Sequence, residues 1–511
     1  MNSEEEFFSR ILASILTGDV DRENLQNLKL RLCRELGLDR VPSNSEILDA
    51  LGPERRKEFA PLLMNKPVRT LSGVAVVAVM TSPHPCPHGR CAFCPGGVQG
   101  GSPQSYTGKE PAARRGARNE FDAFRQVTDR LDQLHRIGHV TDKVDLIIMG
   151  GTFTSRDPAY QEEFVKGCFD AMNRRPSQSL AEAQAFNESA PHRCIGMTVE
   201  TRPDIFDDAQ VAKALDLGAT RVELGVQILD DGILESMDRG HGVEAVRDAT
   251  RRAKDAGLKV SYHLMPGLPG SDPDKDLAGL RKVFDDPDFR PDMLKLYPTL
   301  VVKGTPLHEM WEQGLYIPYD AETGTSLVAD MKALVPPYVR IQRIQRDIPA
   351  PEIEAGIRKG DLRELSKERL RSTGRECRCI RCREVGQRGR EYDPMRPLDE
   401  RELVYEASGG TERFLSMEQD GSLIGYARLR LNADGQAGLR ELKVFGRSSP
   451  IGDKGEWQHR GFGQRLLERA ETAARESGAE RIRVTSGVGV RPYYAASGYQ
   501  REGPYMVKRL V

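Results

Sequence analysis

"SPHPCPHGRCAFCPGG", Ser82–Gly97, sets Cys86, Cys91 and Cys94 close together, directly after an apolar strand-like run, "GVAVVAVM" (73–80). Thiols gathered this tightly in a chain with few cysteines point to metal ligation in a reducing compartment. A closed structural zinc site needs four ligands. Three cysteines on a [4Fe-4S] cube instead leave one iron open to an outside ligand. A Cys3His zinc site using His84 or His88 is the alternative. Phe93 before the last cysteine, Gly96 and Gly97 after it, and the loop's position at a strand's C-terminal end favour the cluster.

Downstream, similar apolar runs recur with helical stretches between them: "VDLIIMGG", "CIGMTVET", "RVELGVQ", "KVSYHLMPG" and "MLKLYPTL". Strands alternating with helices imply parallel βαβ units, hence a doubly wound sheet or a barrel. Polar and glycine-rich residues follow the strands: Gly150-Gly151-Thr152, Glu200-Thr201-Arg202, Gln227 and Pro266-Gly267. In barrels that rim is where chemistry is assembled. Residues 5–63 carry helical periodicity, broken at Pro42 and Pro53. The expected division is a helical segment (1–65), a barrel (66–336), a basic linker (337–395) and a separate α/β domain (396–511).

The linker "RSTGRECRCIRCREVGQRGR" holds Cys377, Cys379 and Cys382. With no strand before it and no glycine pair after it, zinc is the expected metal, ordering a loop too polar to form a core. No fourth ligand is evident. Cys33, Cys168 and Cys194 sit in apolar contexts and read as packing residues.

Lys and Arg number 75 against 76 Asp and Glu, a net charge of -1, so nucleic-acid binding would have to use local patches. No apolar run approaches the roughly 18 residues that span a bilayer. The acidic start "MNSEEEFFSR" is unlike a basic signal peptide, and a cytoplasmic location without membrane contact is expected.

The first cysteine loop resembles that of radical S-adenosylmethionine (SAM) enzymes, although their commonest spacing is x3 then x2. That resemblance implies a partial TIM-type (β/α)6 barrel whose cluster binds SAM through its free iron. At the other end, "QHRGFG" (458–463) opens an amphipathic helix, flanked by "LRELKVFG", "RIRVTSG" and "PYYAASGY". Glycines at a helix start let phosphate approach free N–H groups. The set resembles the GNAT acetyltransferase fold. It implies that the backbone of Glu441, Leu442, Lys443 and Val444 binds pantetheine and that Phe462, Gly463 and Gln464 form the phosphate-facing helix start. Tyr494, rather than Tyr493, is then expected near the thioester sulfur as a donor to the departing thiolate, with His459 a surface residue.

"KPVRTLSGVAVVAVMTSPHPCPHGRCAFCPGG", "QSYTGKEP", "DKVDLIIMGGTF", "LKLYPTLVVKGTPL", "RIQRDIP" and "GPYMVKRL" together resemble the Elongator catalytic-subunit family over about residues 66–511, in its archaeal and bacterial form. That resemblance implies a tRNA-modifying enzyme. A SAM-derived radical and acetyl-CoA would place a carboxymethyl group on carbon 5 of the wobble uridine, and thioester hydrolysis would release CoA. It further implies that Lys143 contacts acetyl-CoA, that Gly150, Gly151 and Thr152 contact the methionine moiety, and that Glu200 and Arg202 lie near the ribose or carboxylate of SAM. Lys295 and Tyr297 are candidates for substrate handling.

For the tRNA anticodon stem-loop, the expected contacts are the helical N-terminal region (1–65) and Lys66, Arg69, Arg114, Arg115, Arg118, Arg340, Arg343, Arg346, Arg375, Arg378, Arg381 and Arg383. The protein would act alone or as a homo-oligomer. Two rival readings are a protein lysine acetyltransferase with a structural iron–sulfur domain and a tRNA-binding scaffold without chemistry.

Overall fold

Runs of aliphatic and β-branched residues, buried on both faces, build the central sheet of the structure, a computed structural model that describes residues 2–510 apart from the side chains of Pro53 and Lys57. Strands β1 (Ala75–Met80), β2 (Lys143–Met149), β3 (Arg193–Thr201), β4 (Arg221–Gln227), β5 (Lys259–Leu264) and β6 (Met293–Leu296) pair in chain order, all parallel. The sheet then runs one strand beyond the six expected. After β7 (Val301–Val302), β8 (Arg340–Ile344) pairs parallel with β6, within the stretch assigned to the linker. Its sequence, "RIQRI", lacks a continuous apolar run because Gln342 and Arg343 interrupt it. β1 and β8 are the two edges, so the barrel is incomplete. β7 forms a small ribbon with β9 (Ile353–Ala355).

Four helices, Ser3–Leu16, Leu25–Leu36, Asn44–Ala50 and Gly52–Leu63, make an N-terminal unit with its own core around Phe7, Ile11, Leu32 and Ile47. Capping boxes at Asn2/Glu5 and Ser43/Glu46 start the first and third of these helices.

The C-terminal sheet opens with β10 (Asp399–Ala407), an exposed and mostly charged strand absent from the sequence expectation. β11 (Gly410–Gln419), β12 (Ser422–Leu431) and β13 (Ala437–Val444) continue the meander. Helix Phe462–Glu476 leads to β14 (Arg481–Val484), and β15 (Gln500–Glu502) and β16 (Tyr505–Arg509) finish the sheet. β14 lies parallel to β13 only over Ala437–Leu439, so Arg440–Val444 run on without that neighbour. This splay frees backbone groups at the strand's end for a ligand.

A β-bulge decides how the two sheets meet. Arg428 pairs with Glu441 and Leu429 with Leu439, which leaves Arg440 as the extra residue. Its fully buried guanidinium reaches Asp292 of the barrel and Glu412 of β11. Arg428, Arg430 and Lys254 complete this buried ionic layer, and the apolar core is continuous across it. The linker packs beneath, where Arg340 is buried against Glu384 (2.6 Å) and Ser72. Arg340 is therefore a structural ion-pair residue and not the RNA contact expected from sequence. Among the described residues, no helix is long and apolar enough to cross a membrane.

Candidate active site

The cysteine loop is held across the C-terminal mouth of the barrel by its backbone. Ala92 N–H donates to the Met237 carbonyl, the Ala92 carbonyl accepts from Leu307, and Cys94 N–H closes a turn onto Cys91. All three sulfurs meet donors suited to thiolates. Arg239 Nη1 lies 3.5 Å from Cys91 Sγ, Gly96 N–H and Gln104 Nε2 lie 3.4 and 3.5 Å from Cys94 Sγ, and Thr152 Oγ1 lies 3.5 Å from Cys86 Sγ. Burial pushes the thiols of Cys86 and Cys91 up, and the Arg239 charge opposes this at Cys91.

Ligand atoms of a mononuclear zinc site sit about 3.7 Å apart, given Zn–S bonds near 2.3 Å. Cys377, Cys379 and Cys382 gather their sulfurs within 4.8 Å of one another, and the first-loop cysteines do not form such a set. The wider trio with its N–H donors fits a polynuclear cluster. The tighter trio fits a single ion, with Cys377 and Cys382 donating to Cys379 and holding its thiol well below the usual range.

Around the first loop lies a pocket lined by Gly151, Thr152, Glu200, Arg202, Glu223, His263, Lys295 and Tyr297. Gly150, at φ +137°, belongs to the same turn but not to the lining; a Cβ there would fall 1.9 Å from Thr81 Oγ1, so only glycine fits. Arg202, buried, donates to His88 Nδ1 (2.7 Å) and to Asp204. His88 Nε2 in turn lies 3.1 Å from Cys91 Sγ. Glu200 accepts from the Tyr106 hydroxyl (2.9 Å) and lies 3.6 Å from Lys295. The structure thus brings together the residues expected at the SAM side. It adds Arg239, Tyr106, Glu223 and His263, which no local motif marks.

A second cavity opens at the opposite, N-terminal ends of the barrel strands. It is lined there by Lys143, Asp145, Arg221 and Lys259, and from the C-terminal domain by Glu441–Val444, Gln458 and Tyr494. Lys143 donates to Gln458 Oε1 (2.7 Å), and burial lowers its ammonium to about 8. Tyr494 is buried with its hydroxyl kept protonated by burial, while Tyr493 is exposed. Helix Phe462–Glu476 begins after Gly461 with no side chain capping its first turn. Phe462, Gly463 and Gln464 lie outside the cavity lining, beside it in sequence, and His459 is exposed as expected. Gln458, read only as part of the glycine-rich turn, instead reaches the barrel.

Basic residues form two further surfaces. Arg69, Arg115, Arg118 and Arg130 crowd one another: burial, then Arg115 and Arg69, lower Arg130 to about 10. Beside the Cys377 trio, a groove is lined by Arg363, Lys367, Arg371, Arg375, Arg381 and Arg388. Of the arginines expected to meet RNA, Arg69, Arg114, Arg118, Arg375 and Arg378 are exposed. Arg343 and Arg346 face the cluster pocket, and Arg383 is tied to Glu418.

Comparison with known proteins agrees with this architecture. Residues 4–71 match the ELP3 N-terminal domain, 82–280 the Radical SAM superfamily, 291–372 the Radical_SAM C-terminal domain and 381–499 the Acetyltransferase (GNAT) family. The tRNA uridine(34) acetyltransferase of Methanocaldococcus jannaschii is 48% identical over 96% of this chain and 95% of its own length. That of Dehalococcoides mccartyi is 50% identical over 88% of this chain and all of its own. Human Elongator complex protein 3 is 42% identical over 96% of this chain and 94% of its own. The solved Methanocaldococcus infernus Elp3 lacking residues 1–46 superposes with a TM-score of 0.77 at 45% identity, covering 86% of this chain and 100% of that one. An incomplete radical SAM barrel fused through a buried ionic layer to an acetyltransferase sheet, with relatives of this identity along nearly the whole chain, means that the chain belongs to the Elongator complex protein 3 family.

Proposed function

We propose that the protein modifies wobble uridine in tRNA, using SAM and acetyl-CoA to install a carboxymethyl group on carbon 5. The observation that carries this reading is the placement of two cavities at opposite ends of the same strands, a three-thiol loop at one and an acetyl-CoA cradle at the other. Cys86, Cys91 and Cys94 hold a [4Fe-4S] cluster, which with SAM supplies a 5′-deoxyadenosyl radical able to take hydrogen from an unactivated methyl group.

The chain's own residues bind and orient. Gly150, Gly151 and Thr152 admit the methionine moiety, and Glu200 and Arg202 bind polar groups of SAM. Glu441–Val444 receive pantetheine on exposed strand backbone, Phe462, Gly463 and Gln464 present the helix start to the CoA phosphates, and Lys143 and Tyr494 close around the thioester end. Cys377, Cys379 and Cys382 hold zinc and pin the linker. The basic groove beside them, with Arg69, Arg115 and Arg118, takes the phosphates of the anticodon stem-loop. An anticodon loop offers a base already free of a duplex, so turning it into a pocket costs little. Such a reaction belongs in the cytoplasm, where its substrates are.

A protein lysine acetyltransferase is disfavoured by the cradle's surroundings. Lys143, Arg221, Lys259 and Lys443 outnumber the acidic groups there, so an incoming lysine would meet like charge. The test is nucleoside analysis of tRNA incubated with anaerobically reconstituted protein, SAM and acetyl-CoA. Carboxymethyluridine that disappears with Cys91→Ala supports the reading; unmodified tRNA alongside acetyl-lysine on protein overturns it.

A further inference from the structure

Barrel interiors are normally packed with layers of branched aliphatic side chains. This lumen is charged from one end to the other. Asp145, Arg221 and Lys259 line the acetyl-CoA cavity, while Glu223 and His263, two and four residues further along β4 and β5, line the cluster pocket. At about 3.3 Å per residue, His263 lies roughly 13 Å up its strand from Lys259.

Glu223 is the centre of this column and is fully buried. One of its oxygens, Oε2, accepts from Lys295 and from His263 Nε2 (2.9 Å). The other, Oε1, has no hydrogen-bond partner among the described residues and lies 3.7 Å from Arg221 Nε. Glu200, Glu223 and His263 are close enough to ligate a cation, but the Lys295 ammonium already stands between the two carboxylates. The Lys295 ammonium thus occupies the place that a bound cation would take. Tyr297 packs edge-on against the imidazole at 5.5 Å, and no described residue hydrogen-bonds Nδ1. A carboxylate thus fixes one ring nitrogen, and the other is free for a substrate in the pocket.

We infer that His263, oriented by Glu223, is the general base that hydrolyses the thioester joining CoA to the modified uridine. The inference rests on the carboxymethylation reading. It assigns a catalytic residue to the step that the cysteine loop and the CoA cradle leave unserved. Once the acetyl methyl carbon is bonded to a base in the cluster pocket, its carbonyl lies one bond away on the His263 side, and the pantetheine arm covers the roughly 13 Å back to the cradle. The imidazole takes a proton from water, the hydroxide adds to the carbonyl carbon, and the C–S bond breaks. The departing thiolate then takes the proton from the imidazolium. One water is consumed, one carboxyl group and one thiol form, and no electrons are exchanged.

Wild-type protein and the His263→Gln and His263→Gly variants, each reconstituted with cluster, are compared in turnover with SAM, acetyl-CoA and tRNA. CoA thiol and 5′-deoxyadenosine are quantified, and digested tRNA is analysed by mass. The expected result is a fall of about 10²-fold or more in thiol released per 5′-deoxyadenosine formed. CoA-bearing nucleotide accumulates, and added imidazole restores release in His263→Gly. A wild-type ratio in both variants overturns the assignment. So does a variant that forms no 5′-deoxyadenosine, which places the ring in the radical step. Wild-type protein that yields no carboxymethyluridine defeats the functional reading itself, and the base falls with it.

Discussion

Arg440 grips both carboxylate oxygens of Asp292, Nη1 on Oδ2 at 2.7 Å and Nη2 on Oδ1 at 2.6 Å, with neither side chain exposed to water. Asp292 belongs to the turn into β6 of the barrel, and Arg440 is the bulged residue immediately before the cradle segment Glu441–Val444. The ion pair therefore sets where the strand proposed to receive acetyl-CoA sits against the barrel's N-terminal ends. Removing one member of such a pair leaves a buried charge uncompensated, at a cost of about 3–5 kcal/mol. Arg440→Met should lower the urea midpoint accordingly and weaken acetyl-CoA binding, both measurable on the purified protein. An unchanged midpoint would mean that the packed apolar core alone joins the domains.

The same layer predicts acid sensitivity. Burial pushes the Glu441 carboxyl up, but Lys259 and Arg428 outweigh it and hold the group at about 2. Asp292 and Glu412 are also held below the usual carboxylate range, burial being outweighed first by Arg440. A carboxyl depressed in the folded state gives stability that is complete above its unfolded value, about 4.3 for Glu, and is lost as pH falls toward the folded one. Stability should therefore drop steeply below that value. Circular dichroism during acid titration should show Arg428→Met unfolding at higher pH than wild type.

Lys143 gives the opposite kind of pH response. Burial lowers its ammonium to about 8, so the charge disappears as pH rises through that value. If the ammonium contacts acetyl-CoA, affinity measured by calorimetry should decline between about pH 7 and 9 in wild type. In Lys143→Gln it should be weaker and flat over that range. Gln458→Ala, which frees Lys143 from its 2.7 Å tie, should strengthen binding. A pH-independent wild-type affinity would remove Lys143 from the cradle.

What could be read from the sequence was what lies contiguous in it. The two cysteine trios, the glycine turn after β2 and the cradle strand each fit within a few residues. The lumen residues did not announce themselves, because strands buried on both faces show no alternation to say which side chains point inward. Glu223 and His263 stand inside the runs "RVELGVQ" and "KVSYHLMPG", with no neighbouring motif beside them. Arg239 meets Cys91 across 148 positions of chain. β8 went unseen because its inward-facing Gln342 and Arg343 break the strand pattern, and Arg340 looked like an RNA contact because charge alone does not reveal Glu384 against it.

For RNA, the groove beside the Cys377 trio offers Arg371, Arg375 and Arg388, all exposed. Each phosphate contact removed lowers the slope of log affinity against log salt by about 0.7–0.9. The triple alanine variant should bind tRNA more weakly at low salt and with a slope shallower by about 2–3. Arg340→Ala, in contrast, should act on folding through Glu384 and leave the salt slope of the folded fraction as it was. Filter binding across a salt series separates the two.

The two cysteine sites should part company under mutation, because their sulfur spacings suit different metals. Cys91→Ala removes a cluster ligand while leaving the linker intact, so iron should be lost and zinc retained. Cys379→Ser removes the most buried sulfur of the linker trio; with zinc bound there as proposed, zinc content should fall and the melting temperature with it. Arg239→Met tests the surroundings of the first site separately. The guanidinium donates to Cys91 Sγ and to the Gly225 carbonyl, and a positive donor beside a thiolate favours the more reduced, more negative state of the cluster. Its loss should shift the midpoint potential, read by electron paramagnetic resonance during redox titration, to more negative values. Equal iron and zinc losses in Cys91→Ala would show that the sites are not independent, and an unmoved potential in Arg239→Met would leave that residue as a mere prop for the loop.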